Sequence, residues 1–210
     1  MARYLGSSCR LCRAEEEKLF LKGSRCYSTK CSMTRRSGLP GQHGQNRRKV
    51  SEYARQLRAK QKARRYYGVL EKQFRHYYDL ALKFKEGKTG ENMLSMLESR
   101  LDSVVYQLHW GQSKAHARQL VLHGHFLINE KRINIPSYLV QIGDIVSLSE
   151  KGKKSEPLRN LISSNLSQKP PKWIEFCDGE HFKAKKIFKP QMEDIGLEFD
   201  ETLIVELFSK

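Results

Sequence analysis

Cys9, Cys12, Cys26 and Cys31 carry the sharpest chemical signal in the chain, in the spacing C-x2-C-x13-C-x4-C. Two thiolates two residues apart can grip one ion from a tight turn, and a second pair closes a tetrahedron. In a reducing compartment this spacing favours metal over disulfide. Arg10, Arg13, Arg25 and Lys30 lie beside the thiols and favour thiolate. The pattern predicts one metal centre, with a single zinc ion as the first reading. An iron–sulfur cluster also takes four cysteines, and spacing does not exclude it. The bland alternative is four free thiols on a disordered basic arm. The residues around the cysteines include few large apolar side chains, so a metal staple would order them. Cys177 stands apart and reads as an ordinary buried thiol.

The elements that must hold this arm are strongly basic. The chain carries a net charge of +16, with 39 Lys and Arg against 23 Asp and Glu. Residues 1–50 hold 12 basic and 3 acidic side chains, and residues 51–90 hold 11 and 4. The remaining residues are neutral in sum, so the whole excess lies in the first 90. A field this one-sided attracts polyanions, and nucleic acid is the partner it fits best. An anionic membrane surface fits less well, because no long apolar face accompanies the charge. No run of about eighteen apolar residues could span a membrane. The opening MARYLGSSCRLCRAEEE lacks the apolar core of a signal peptide, so the chain is expected to stay where it is made.

Residues 35–49 read RRSGLPGQHGQNRRK. Gly38, Pro40, Gly41 and Gly44 forbid a helix through the middle. Bare amides with Arg35, Arg36, Arg47, Arg48 and Lys49 suit close approach to phosphates. Ser51 can cap the next helix, and Glu52 suits its positive end. Arg55, Arg58, Lys60, Lys62, Arg64 and Arg65 spread around that helix, and only Tyr53, Ala54 and Leu57 form an apolar patch. Core packing explains such a helix poorly; a phosphate lining explains it well. Gly68 ends it. Leu70, Phe74, Tyr77, Tyr78, Ala81 and Leu82 then mark a further helix whose aromatic stripe reads as core.

Leu94, Leu97, Leu101, Val104, Val105 and Leu108 have the spacing of one helical face. Ser113 can cap a second helix carrying Ala117, Leu120 and Val121, which Gly124 can terminate. Its outward face carries Lys114, His116, Arg118, Gln119 and His123, with Lys114 and Arg118 four apart. Phe126–Ile128 reads as a strand, residues 129–132 as a turn, Ile133–Ile135 as the return, and Ile145–Leu148 as a third strand. Beyond it, residues 151–154 read as a basic loop, 155–171 as polar, and PKWIEF as a strand. Lys183, Lys185, Lys186 and Lys189 form a basic patch before an acidic stretch and a short apolar element. The fold class is α+β: a metal-stapled arm, a helical domain, and a helix–helix–β domain with a small antiparallel sheet. No Gly-rich nucleotide loop and no persuasive nucleophile–base set occurs, so neither an enzyme nor a small-molecule substrate is expected.

The segment RLDSVVYQLHWGQSKAHARQLVLHGHFLINEKRINIPSYLVQIGDIVSL closely resembles the RNA-binding domain named after small-subunit ribosomal protein four. PGQHG followed by RRK, QLRAKQKARRYYG, EKQFRHYYDLA and GKTGENMLSMLESRLD resemble the bacterial-type ribosomal family itself, in order. The resemblance runs from MARYLG to LIVELFSK and leaves no room for a separate catalytic domain. It implies a cytoplasmic, ribosomal protein that binds a junction in small-subunit (16S) rRNA early in assembly. It also implies that the protein lines the channel through which mRNA enters, touches ribosomal protein five and other small-subunit proteins, and influences decoding accuracy. The resemblance places Arg47, Arg48 and Lys49 at that channel. It places Arg35, Arg36, Gln42, His43, Arg55, Arg58, Lys62, Arg64 and Arg65, with Lys114, His116, Arg118, Gln119 and His123, on rRNA. Domains follow at 1–45, 46–93 completed by 190–210, and 94–189. Leu122, Glu130, Ser103 and Gln107 depart from the family's usual residues, which shifts the expected binding energy towards residues 35–66. The competing reading is a zinc-containing nucleic-acid-binding regulator outside the ribosome.

Overall fold

A computed structural model of the chain describes residues 3–36, 38–42, 44, 49–177, 179 and 181–209. His43, Arg47 and Arg48 lie outside the described residues. The chain divides into two units, Met1–Met93 with Leu197–Lys210, and Leu94–Gly196.

In the first unit, helix α1 (Ser8–Glu15) and the short α2 (Ser32–Arg35) precede α3 (Glu52–Tyr66) and α4 (Glu71–Ala81). The Ser51 hydroxyl accepts from the Ala54 N–H at 3.3 Å, the cap its position predicts. The buried stripe of α3 is Gln56, Lys60, Ala63 and Tyr66, not the predicted Tyr53–Ala54–Leu57 patch. Polar groups can occupy this stripe because each finds a partner. Gln56 donates to Glu206 at 3.0 Å, and Lys60 pairs with Glu71 while lying 5.7 Å from the Phe208 ring centroid. Both partners reach α3 only through folding, since Glu206 and Phe208 belong to the C-terminal helix α10 (Glu201–Phe208), which packs on α3. The α4 stripe is core as its spacing predicts, with Phe74, Tyr77, Tyr78 and Ala81 buried. Tyr78 stacks on Phe208 at 4.6 Å. Gly90 admits α10 closely, because a methyl group there would meet Glu201 Cβ at 2.6 Å.

The arm does not depend on sulfur alone for its order. Leu19 is 1% exposed, and the Glu15 side chain is buried between Arg65 and Arg58 of α3. Glu17 pairs with Lys62 at 2.6 Å, and the Arg13 guanidinium donates to the Gly38 and Leu39 carbonyls at 2.8 and 3.0 Å. Burial pushes the Glu15 carboxyl up, and the two guanidiniums pull it back only in part.

In the second unit the predicted Leu94–Leu108 helix is two: α5 (Thr89–Glu98), which begins in the first unit, and α6 (Leu101–Gln107). The break lies where the Leu101 and Asp102 N–H groups donate to the Tyr138 and Pro136 carbonyls instead of to a preceding turn. Ser113 caps α7 (Lys114–Leu122) by accepting from the His116 N–H at 3.2 Å, and Gly124 (φ 70°) follows its end. Strands β1 (Phe126–Ile128), β2 (Lys131–Arg132), β3 (Ile145–Leu148), β4 (Ile174–Phe176) and β5 (Lys183–Lys186) form one antiparallel sheet, ordered β2-β1-β3-β5-β4. Asn129 and Glu130 both take positive φ, 47° and 68°. That two-residue turn brings the chain back at Lys131, two residues before the predicted return at Ile133.

Residues 150–164 are helical where a loop and a polar stretch are expected: α8 (Glu150–Lys154) and α9 (Glu156–Ser164). The Ser149 hydroxyl caps α8, and α9 buries only Leu158 and Ile162, four residues apart. Leu158, Leu161 and Ile162 have the i, i+3, i+4 spacing of a helical face, a signal that reading residues 155–171 as merely polar passed over. Trp110, Phe126 and Trp173 fill the core of this unit. Cys177 is exposed, contrary to its reading as a buried thiol, because it lies just past the end of edge strand β4.

Lys186 is a buried cation, 4% exposed. Its Nζ donates to Ser99 Oγ at 2.7 Å and the Val140 carbonyl at 2.8 Å, and burial lowers its pKa from 10.5 to about 8. The unfolded chain therefore holds this proton up to a higher pH than the folded one does. Stability should rise with pH across the window between these values, by about 1–2 kcal/mol from pH 8 to 9.5. Urea denaturation of wild type and Lys186→Met at both pH values checks this, and an equal rise in the variant would refute it.

Candidate nucleic-acid interface

The basic side chains of the first unit fall into two groups by what they touch. Arg35, Arg36, Gln42, Lys49 and Arg55 are exposed. Among the described residues, Arg55 pairs with Glu52 at 3.3 Å in an exposed i,i+3 contact, an interaction worth a few tenths of a kcal/mol. These groups are available to phosphates. The second group is engaged within the protein. Arg65 is paired to the buried Glu15, with its side chain 17% exposed. Lys62 is held by Glu17, by the Glu198 carbonyl at 2.6 Å and by the Phe199 ring at 5.5 Å. Arg64 lies 2.9 Å from Gln61 and 3.6 Å from Glu71. Arg58 shares both characters: it is exposed, with 45% of its side chain accessible, yet lies 3.6 Å from Glu15 and donates to the Ala14 carbonyl at 3.4 Å.

In the second unit the outward orientation expected of Lys114 and Arg118 is overturned. The Lys114 ammonium reaches Glu98 at 3.5 Å and Ser103 Oγ at 3.3 Å, and burial lowers its pKa. Arg118 donates to Asp102 at 2.9 Å, and Asp102 also takes both arms of buried Arg100, at 3.0 and 2.7 Å. The reason is that Glu98 and Asp102 lie in the core and need cations there. His116 is half-buried, its Nδ1 accepting from the Gln112 N–H at 3.3 Å, and burial lowers its pKa. Gln119 and His123 do face solvent.

The end of α7 gains charge that sequence reasoning missed. Lys151 of α8 donates to the His123 carbonyl at 3.1 Å, and the Arg132 guanidinium of β2 lies against Gly124, where a methyl group would collide with it. His125 beside them has its pKa lowered by burial first, then by Lys151, His123 and Arg132. His123, Arg132 and Lys151 thus form a basic surface drawn from three elements. In sequence these three residues are far apart; sheet register and helix packing bring them together.

The four cysteines line one small cavity with Leu21 and Arg25. Cys12, Cys26 and Cys31 are buried, and all five cysteines of the chain are free thiols. Burial pushes the Cys12 and Cys26 thiols up, the other cysteines of the set add to that push, and single backbone N–H donors oppose it. The neighbouring cations therefore do not make these two groups thiolates by themselves. Among the described residues, no three His, Cys, Asp or Glu side chains stand together as a metal-holding group. A metal-stapled arm is thus not what this structure shows; the ion pairs to α3 and buried Leu19 hold it.

Residues 3–98 match the family described as ribosomal protein S4/S9 N-terminal domain, and residues 99–146 match the S4 domain. The small ribosomal subunit protein uS4 of Acetivibrio thermocellus is 55% identical over 210 residues, covering 100% of each chain. The uS4 proteins of Ruminiclostridium cellulolyticum and Clostridium tetani are each 53% identical over the same span. The chain belongs to the uS4 family. For a uS4-family chain, the structure sorts the sequence-predicted residues by exposure. Arg35, Arg36, Gln42, Lys49, Arg55, Gln119 and His123 can meet a polyanion directly. Lys62, Arg64, Arg65, Lys114 and Arg118 already neutralise or bind protein groups.

Proposed function

We propose that this chain is a structural constituent of the small ribosomal subunit, in the cytoplasm, that binds small-subunit rRNA and catalyses nothing. Identity of 53–55% to small-subunit uS4 proteins along the full length carries the reading. The confinement of the excess charge to the first 90 residues supports it. Exposed arginines and lysines neutralise phosphates of crossing RNA helices, which repulsion otherwise holds apart, and so fix an RNA tertiary fold. At a finer level, the protein nucleates subunit assembly and lines the channel through which mRNA enters, with Arg47, Arg48 and Lys49. It also contacts ribosomal protein five and affects accuracy. The test is sedimentation of native extract. Co-migration with the small subunit is expected, and exclusive migration with other particles or free protein would refute the reading. Filter-binding competition between structured rRNA and duplex DNA separates it from a regulator outside the ribosome.

A metal on Cys9, Cys12, Cys26 and Cys31 belongs to the same proposal. The paired C-x2-C-x13-C-x4-C spacing supports one structural zinc ion, with an iron–sulfur cluster as the alternative; the four cysteines line one cavity and would have to close further to hold it. When bound, it supplies no catalysis and cross-links the two halves of the arm. Elemental analysis of protein purified without oxygen should give about one zinc per chain, or several irons with sulfide. Cys26→Ser with Cys31→Ser should abolish the metal while α3, α4 and the second unit remain folded. Protein with no metal would remove the assignment.

A further inference from the structure

Tyr27 follows a 3₁₀ turn, Gly23–Cys26, and is 74% exposed. Its ring stacks on Phe20, with centroids 5.0 Å and planes 27° apart. Phe20 is held at φ 50°, a region bulky side chains seldom enter. Strain of this kind persists where the surroundings over-determine it, and it gathers at binding sites. The stack covers one face of Tyr27 and turns the other to solvent. Lys18, Lys22, Arg25 and Lys30 are exposed on the same segment, and no acidic residue occurs between Glu17 and Glu52.

We infer that Tyr27, backed by Phe20, is a stacking platform for an unpaired base of RNA. The inference rests on the rRNA-binding reading and adds to it a contact that is not electrostatic. A flat ring amid cations suits a base whose flanking phosphates those cations neutralise. The base must be unpaired, in a loop, bulge or end, because the face of a paired base is covered by its helical neighbours. A protein partner would need a broader apolar surface than one ring, and the segment offers cations around it instead.

The full-length protein is tested on a small-subunit rRNA fragment, across a salt series, as wild type, Tyr27→Phe, Tyr27→Leu and Tyr27→Ala. Tyr27→Phe should bind as wild type does. Tyr27→Leu and Tyr27→Ala should bind about tenfold more weakly. Their log–log salt slope should be unchanged, because stacking releases no counterion. Leucine keeps an apolar cover over Phe20, so it separates loss of the ring face from loss of arm packing. Irradiation should cross-link Tyr27 of the wild type to a nucleotide unpaired in the RNA. Wild-type affinity in Tyr27→Leu, or loss of binding in Tyr27→Phe, overturns the platform and leaves the rRNA reading standing. Failure of the wild-type protein itself to bind rRNA overturns both.

Discussion

Asp102→Ala should destabilise the second unit by about 3–5 kcal/mol, the cost of breaking a buried ion pair from one side. The Asp102 side chain is 6% exposed and accepts from three partners: Arg100, Arg118 and the Ser103 N–H. Alanine removes the carboxylate that two guanidiniums share, one of them, Arg100, with its side chain 2% exposed. Those cations stay charged, since guanidinium does not deprotonate in proteins, so the fold must bear the imbalance or open. Urea unfolding followed through buried Trp110 and Trp173 measures the loss. A change below about 1 kcal/mol, the scale of an exposed pair, would show that the network is solvent-screened. On an outward-facing helix surface, Lys114→Glu with Arg118→Glu would spare the fold; the observed geometry reverses that. Two new carboxylates beside Glu98 and Asp102 should unfold this unit, which circular dichroism reads directly.

Replacing Arg35, Arg36, Lys49 and Arg55 together by Gln should cut rRNA affinity roughly a hundredfold or more at physiological salt. Each lost phosphate contact should also lower the log–log salt slope by about 0.7–0.9, so the slope should fall by about 3 in all. The choice follows from exposure: these four are on the surface, and among the described residues none is tied to a buried carboxylate. Stability should change little, because among the described residues the ion pair broken, Arg55 with Glu52, is exposed at both ends. Arg65→Gln makes the contrast. It should destabilise the arm, because it leaves Glu15 buried with only Arg58 at 3.6 Å. Filter binding over a salt series, with urea unfolding alongside, separates the two behaviours. An unchanged slope in the fourfold variant would place these side chains away from RNA.

Much of the local structure was legible because local physics decides it. The Ser51 and Ser113 caps satisfy orphan N–H groups two or three residues on, and Gly124 at φ 70° ends α7 because an L side chain there is strained. The stripes Phe74–Tyr77–Tyr78–Ala81 and Ala117–Leu120–Val121 became core because apolar groups at helical spacing have one cheap place to go. Family membership was legible too, since motifs such as PGQHG and QLRAKQKARRYYG run in order along the chain. Helix α9 was passed over although Leu158, Leu161 and Ile162 have helical spacing, because the polar residues around them dominate residues 155–171; Leu158 and Ile162 join the core that holds Trp110.

Charge is where composition was informative and placement was not. The sequence by itself determined the α+β class, the +16 and its confinement to residues 1–90, and the four-cysteine spacing. Which cations face water was decided only by the tertiary structure. A lysine or arginine reads the same in sequence whether it meets phosphate or a buried carboxylate 50 residues away, as Arg65 meets Glu15. Burying a carboxylate is so unfavourable that the fold must recruit cations to it, and Glu15, Glu98 and Asp102 did so with Arg65, Lys114 and Arg118. Those long-range pairings depend on packing, which has no local signature, and they leave the remaining exposed cations free to meet a polyanion.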